Sequence, residues 1–251
     1  MSSPNTFTEL RSLSTRAPEG LDKSRCKEEL QRLRAELFDL QNVFYANGSF
    51  SLLIILQGMD TSGKDGVVRH TLSSMDPLGV NVRSFKKPTE QELMHDFMWR
   101  IYPHFPERGK IKVFNRSHYE DVLVPRVTGA IGEEECRRRY GVINAIEQHL
   151  IASGTLILKC FLHISKEEQK KRIEERLSIP RKRWKYDPAD REAASLWEPY
   201  AVANEAMLNA CTVVPWEIIP ADQRWYRNFR FAELVRDALK SLNLSYPDTS
   251  T

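Results

Sequence analysis

The stretch Gly58-Met59-Asp60-Thr61-Ser62-Gly63-Lys64-Asp65-Gly66 decides how the chain is built. Before it runs Ser51-Leu52-Leu53-Ile54-Ile55-Leu56, a short apolar segment of the kind a buried parallel strand needs. After it, Val67-Val68-Arg69-His70-Thr71-Leu72 continues as a helix packed against that strand. Strand, glycine-rich turn, Gly-Lys and helix make a P-loop, whose backbone N–H groups and helix N-terminus form an anion hole. Lys64 adds a point charge for phosphate. Gly58, Met59, Thr61, Ser62, Gly63, Asp65 and Gly66 are therefore candidate phosphate-binding positions.

Two carboxylates depart from the usual loop. Gly-Lys is ordinarily followed by Ser or Thr, whose hydroxyl ligates magnesium, and here Asp65 stands in that place. Asp60 lies inside the loop, where phosphate repels it unless a metal or a proton lies between them. Asp60 is then an indirect magnesium holder or a base beside the phosphoryl group; the plainer alternative is a carboxylate that bonds its own backbone.

Outward from the loop, strands and helices alternate. Leu30, Leu33, Leu37, Leu40 and Phe44 recur at helical spacing between Leu21 and Tyr45, and Asn47-Gly48 closes that helix. The P-loop helix is expected over 63–75 and a second strand over Val80 to Phe85, ending in Lys86-Lys87-Pro88. Thr89-Glu90-Gln91-Glu92 is a capping box opening a helix through Leu93, Phe97 and Ile101. Further strands are expected at Ile111 to Phe114, Thr155 to Leu162 and Val213 to Ile219, with helices over 119–128, 133–152, 165–177, 190–210 and 222–242. The alternation predicts an α/β fold, a parallel sheet with helices on both faces and ligands at the carboxyl ends of the strands. Residues 1–19, rich in Ser, Thr, Pro and Asn, read as a loosely held arm, and 20–251 as one domain.

Composition narrows the class. Of 251 residues, 41% are hydrophobic, enough for a substantial core, and a formal charge of +3 is too small to mark a nucleic-acid binder. Cys26, Cys136, Cys160 and Cys211 are too scattered for a disulfide set or a zinc site. No apolar run approaches membrane-spanning length and residues 1–19 lack a signal-peptide core, so a cytoplasmic location is expected.

A second constellation follows the strand Ile111-Lys112-Val113-Phe114. Where ordinary P-loop ATPases end this strand in aspartate, Asn115 stands, followed by Arg116-Ser117-His118-Tyr119-Glu120-Asp121. Asn115 can bond a metal water without bringing charge, and Arg116 can reach a transferring phosphoryl group as a built-in arginine finger. Glu120 and Asp121 open a helix, where carboxylates also serve the dipole; His118 reads as a structural hydrogen-bonder. Arg176, Arg181, Arg183 and Lys185 surround a proline-containing basic stretch that suits a lid over a phosphate chain, about 176–192. Arg69, Arg83, Lys86 and Lys87 can extend the positive track, whereas Arg137-Arg138-Arg139 reads as exposed surface.

The P-loop, the segment Phe114 to Val124 and the basic stretch Arg176 to Asp187 together resemble the second family of polyphosphate kinases. The resemblance runs from about Lys23 to Leu242, and includes Trp99-Arg100-Ile101 and Pro220 to Tyr226. It implies a thymidylate-kinase-like P-loop fold and a phosphotransferase that moves phosphoryl groups from inorganic polyphosphate to nucleotides. Asn115, where many members of that family have aspartate, with Glu120 five residues on, is similar to the third subclass, which implies both mono- and diphosphate acceptors, AMP to ADP to ATP, with guanine as a second base. It also implies Mg2+, with Mn2+ as a substitute, and a homo-oligomer, dimer or tetramer. Carried over by position, Asp60 and Lys64 belong to the phosphate and metal centre, Arg116 to the transferring phosphoryl, Glu120 to the acceptor side, and Arg176, Arg181 and Arg183 to the lid. Two rivals share the loop: an ATP-dependent nucleoside or nucleotide kinase, and a non-catalytic nucleotide sensor. The absent hydroxyl after Lys64 and absent strand-end aspartate count against the first, and the absence of Asn-Lys-x-Asp counts against a guanine-reading switch.

Overall fold

Every residue of Ser51–Gln57 is buried, and this strand, β1, lies at the centre of a five-stranded sheet in the computed structural model, which describes residues 7–180 and 195–248. The others are β2 (Val80–Ser84), β3 (Ile111–Asn115), β4 (Thr155–His163) and β5 (Trp216–Pro220). All pair in parallel, in the order β2-β3-β1-β4-β5. Side chains alternate between the faces of a strand, so β1 feeds two cores. Leu52, Ile54 and Leu56 meet α1 (Lys23–Asn47), α2 (Lys64–Val67) and α8 (Arg224–Ser241). Leu53 and Ile55 meet α4 (Glu120–Val127), α5 (Glu133–Ala152) and α7 (Trp197–Ala210). The remaining helices are α3 (Glu90–Leu93) and α6 (Lys166–Ser178). This is the expected α/β arrangement, a parallel sheet with helices on both faces.

Helix ends follow local chemistry. Asp22 caps α1 by accepting from the Arg25 N–H at 2.6 Å, and Gly48 ends it at φ 65°. The helix expected over 63–75 is α-helical only over Lys64–Val67 and then widens into a π-turn, Val68–Leu72. The wider turn keeps Val67, Thr71 and Leu72 buried together while Arg69 and His70 stay exposed. The helix expected from Thr89 through Ile101 is also shorter. Its capping box forms, yet α3 stops at Leu93, because Leu93 and Met94 face solvent and give the helix no apolar stripe to bury. The Asp96 carboxylate then accepts from the Met98 N–H at 2.9 Å and turns the chain, so that Met98 and Ile101 are buried.

The N-terminal arm, where described, is tied down. Leu10 is buried, the Leu10 N–H donates to Glu205, Thr15 donates to the Asp222 carboxylate and the Ala17 N–H donates to Gln223. Ser and Thr content reads as disorder only until the side chains find partners. Among the described residues, no helix is long and apolar enough to cross a membrane.

Candidate active site

The loop between β1 and α2 has its carbonyls occupied from outside. Lys64 Nζ donates to Gly58 O at 2.7 Å and to Met59 O at 3.3 Å. Gln169 Nε2 donates to Asp60 O at 3.1 Å, and Arg172 Nη1 donates to Thr61 O and Ser62 O at 3.0 and 3.1 Å. Arg227 Nη1 adds a second bond to Ser62 O at 3.0 Å. With every carbonyl from Gly58 to Ser62 taken by a side chain, an anion in the loop meets N–H groups rather than lone pairs.

Two loop glycines make room on that outer side. A Cβ on Gly63 would lie 1.7 Å from Arg227 Nη1, and one on Gly66 would lie 2.6 Å from Nη2. Gly63 also sits at φ 104°, which an L side chain rarely adopts.

β3 brings the second constellation alongside. Its register pairs Leu56 with Asn115, so both strands end together, and the Arg116 N–H donates to Leu56 O at 3.1 Å. Arg116 then adopts a left-handed φ of 62°, a conformation costing non-glycine residues of order 1–3 kcal/mol and clustered at functional sites. Its guanidinium forms an ion pair with Asp60 across the mouth of the loop. Asn115 Nδ2 donates to Asp65 Oδ1 at 2.7 Å, and Gln57 Nε2 donates to Glu120 Oε1 at 3.1 Å. Burial and the Arg116 charge lower the Lys64 pKa, while Asp60, Glu120 and Asp65 oppose them. Asp60, Lys64, Asp65, Asn115, Arg116 and Glu120 thus form one charged cluster.

Asp121 belongs to a neighbouring group. Burial pushes its carboxyl up to about 6, against the pull of Arg100, whose Nε lies 3.5 Å away. Arg100, itself buried, also donates to Lys86 O at 2.9 Å and pairs with Glu92. It therefore links the end of β2 to the start of α4.

A buried network supports the segment from behind. Lys159 Nζ donates to Glu147 Oε2 at 2.8 Å, Tyr119 OH at 3.1 Å and Cys211 O at 2.9 Å, and Tyr119 OH donates to Glu147 Oε1 at 2.7 Å. His118 beside it is buried and neutral, its pKa lowered to about 3 by desolvation and by Lys159. Among the described residues its Nδ1 finds no hydrogen-bond partner, so the hydrogen-bonding role expected of it is not formed; it is a buried ring packed against Phe114 and Tyr119.

Residues 20–247 match the family described as Polyphosphate kinase 2 (PPK2). The chain belongs to that family. It is 43% identical, over 91% of its length and 86% of the relative's, to an AMP/ADP-polyphosphate phosphotransferase of Meiothermus ruber. It is also 43% identical, over 88% of its length and 82% of the relative's, to an ADP-polyphosphate phosphotransferase of Rhodopseudomonas palustris. The crystal structure of polyphosphate kinase 2 from Arthrobacter aurescens superposes with a TM-score of 0.94 at 39% identity, covering 97% of this chain and 89% of that one. As a polyphosphate kinase, the chain is a phosphotransferase of the P-loop kinase fold.

Within this polyphosphate kinase fold, the expected site residues do not all lie together. Lys86 and Lys87 are exposed just past β2 and Arg69 is exposed on the π-turn, while Arg176 lies half-buried in the last turn of α6. Arg181, Arg183 and Lys185, and most of the expected lid, lie outside the described residues. Arg139, expected on the surface, is half-buried instead: it donates to Asp121 O at 2.6 Å and covers the Phe97 ring. The sequence reading missed Gln57, Gln169, Arg172 and Arg227. Spacing carried a signal for three of them. Gln169 and Arg172 share a helical stripe with buried Ile173, and Arg227 shares one with Phe231 and Val235.

Proposed function

We propose that the chain transfers phosphoryl groups from inorganic polyphosphate to nucleoside mono- and diphosphates, AMP to ADP and ADP to ATP, with guanine nucleotides as further acceptors. One observation carries the donor reading: Asp65, standing in place of the magnesium-ligating hydroxyl, accepts from the Asn115 amide. In an ordinary ATP-binding loop, these two positions hold a hydroxyl and a carboxylate that serve the nucleotide's magnesium. Here the two side chains satisfy each other instead. The names of the relatives support the same donor.

The chain's own groups suit an in-line transfer, in which most of the catalysis is positioning and charge neutralisation. Lys64 spends two N–H groups on loop carbonyls and keeps one for a phosphate oxygen. Arg116, held at the mouth by Asp60, faces the charge that spreads over the transferring group. Glu120, fixed by Gln57, lies on the acceptor side and bears on mono- versus diphosphate choice. Lys86, Lys87 and Arg69 extend the track for the rest of the polymer.

Among the described residues, no group of three or more His, Cys, Asp or Glu side chains could hold a metal ion alone. Magnesium needs no such cage, because it binds through one or two carboxylates together with substrate phosphates. Asp60, at the mouth of an anion loop, fits that role, with Mn2+ as a substitute. Bound there, the ion would supply Lewis-acid neutralisation of the phosphate oxygens.

Four free, buried cysteines support a cytoplasmic location. The deciding assay gives the pure protein AMP and magnesium with polyphosphate or ATP as sole donor. ATP formed from AMP and polyphosphate alone is the expected result. Transfer from ATP only would replace the proposal with an ATP-dependent kinase.

A further inference from the structure

Among the described residues, Arg227 is a buried cation without a carboxylate partner. It reaches from α8 to the outer side of the phosphate loop, and only 3% of it is exposed. Besides Ser62 O, its partner is the neutral Asn228 Oδ1, at 3.2 Å from Nε and 2.8 Å from Nη2. Among the described residues, no carboxylate forms an ion pair with it. Burial pushes its pKa down to about 9, helped by two like charges, Arg172 and Arg224, so it stays protonated at neutral pH. Those two arginines have carboxylates of their own, Glu168 and Glu175, each at 2.8 Å.

An uncompensated buried charge is costly, and a neutral donor would hold Ser62 O at lower cost. The place where the charge is kept is therefore informative. Gly63 and Gly66 lack side chains where the guanidinium lies, so the charge sits directly against the backbone whose amides receive the anion.

We infer that Arg227 is a determinant of phosphate-chain affinity, acting through the loop at Gly63, and that the bound chain serves as its counter-ion. It touches no ligand and is a positioning residue, by charge rather than by contact. The identity of the anion rests on the proposed polyphosphate reading; the presence of an anion at the loop does not.

The test uses the full chain and three variants. Arg227→Met removes charge and hydrogen bonds, Arg227→Lys keeps the charge without the planar fork, and Arg227→Gln keeps an amide donor without charge. Each is melted alone and with a fixed concentration of tripolyphosphate, and KM is measured for polyphosphate and for AMP. Arg227→Met is expected to melt at or above wild type when alone, and to lose at least half of the tripolyphosphate shift. Its KM for polyphosphate is expected to rise about tenfold, with the AMP value within twofold, and Arg227→Lys to recover most of the shift. If Arg227→Met does not fold, Arg227→Gln takes its place in the same measurements. A charge-free variant that melts lower yet keeps the full shift would make Arg227 a plain strut. An Arg227→Lys variant as deficient as the charge-free one would also overturn the inference. If wild type is stabilised by tripolyphosphate but transfers nothing to AMP, the proposed function fails, while Arg227 is still judged by the melting shifts.

Discussion

Glu147 and Lys159 form an ion pair 2.8 Å long whose two side chains are 1% and 0% exposed. Tyr119, one residue before Glu120, closes the triangle. Breaking one side strands the other charge in the core. Glu147→Leu or Lys159→Met alone should each cost about 3–5 kcal/mol, and the double variant should recover much of the loss. Urea unfolding of the four proteins measures the cycle. Additive losses would show that the pair is not coupled.

Acid should unfold the protein through His118. Its folded pKa of about 3 lies below the ordinary 6.5, so the stability it contributes is full above 6.5 and fades as the pH falls toward 3. Asp121 works in the opposite direction. Its folded pKa of about 6 lies above the ordinary 3.8, so its contribution is full below 3.8 and is lost as pH rises through 6. The histidine shift is the wider, and the net slope between pH 4 and 6 should be positive. Melting temperatures across that range should rise with pH in wild type. They should rise more steeply in Asp121→Asn and turn downward with pH in His118→Gln, where only the Asp121 contribution of the two is left.

Lys64→Ala should lower kcat by about 10²–10³, the usual effect of deleting one fixed charge donor at a developing anion. Its far-UV spectrum should match wild type. Transfer from polyphosphate at the wild-type rate would remove Lys64 from the chemistry.

Arg116 and Asp60 should separate by what each variant disturbs. Arg116→Ala should cut kcat strongly, within the 10³–10⁵ range of arginine fingers, with little change in the magnesium requirement. Asp60→Asn should raise the magnesium concentration for half-maximal rate by about 10-fold or more. A magnesium titration of both variants at saturating polyphosphate checks the assignment.

Much of the architecture was legible because it is written in runs. Leu52 to Leu56 has no polar interruption, and Leu33, Leu37 and Phe44 mark a face that is indeed buried. The chemistry-bearing side of the site was legible in part: Lys64, Arg116, Asn115 and the carboxylates stand next to strand ends, where sequence order gives proximity. Arg172 and Arg227 were legible only as positions on a buried helical stripe; that their guanidinium groups hold the loop carbonyls shows only once the loop is seen resting on them. The π-turn after Val67 and the early end of α3 were hidden for another reason. Tertiary burial of Thr71, Leu72, Met98 and Ile101 outweighed the helical spacing.

The contact between Asp65 and Asn115 has a consequence for anyone redesigning the donor preference. Exchanging Asp65 for Thr alone would take the carboxylate from the Asn115 amide, and exchanging Asn115 for Asp alone would set two like charges face to face. Each single exchange unpairs the other side chain, so the two should behave non-additively in a double-mutant cycle, and a redesign of this loop must exchange both together.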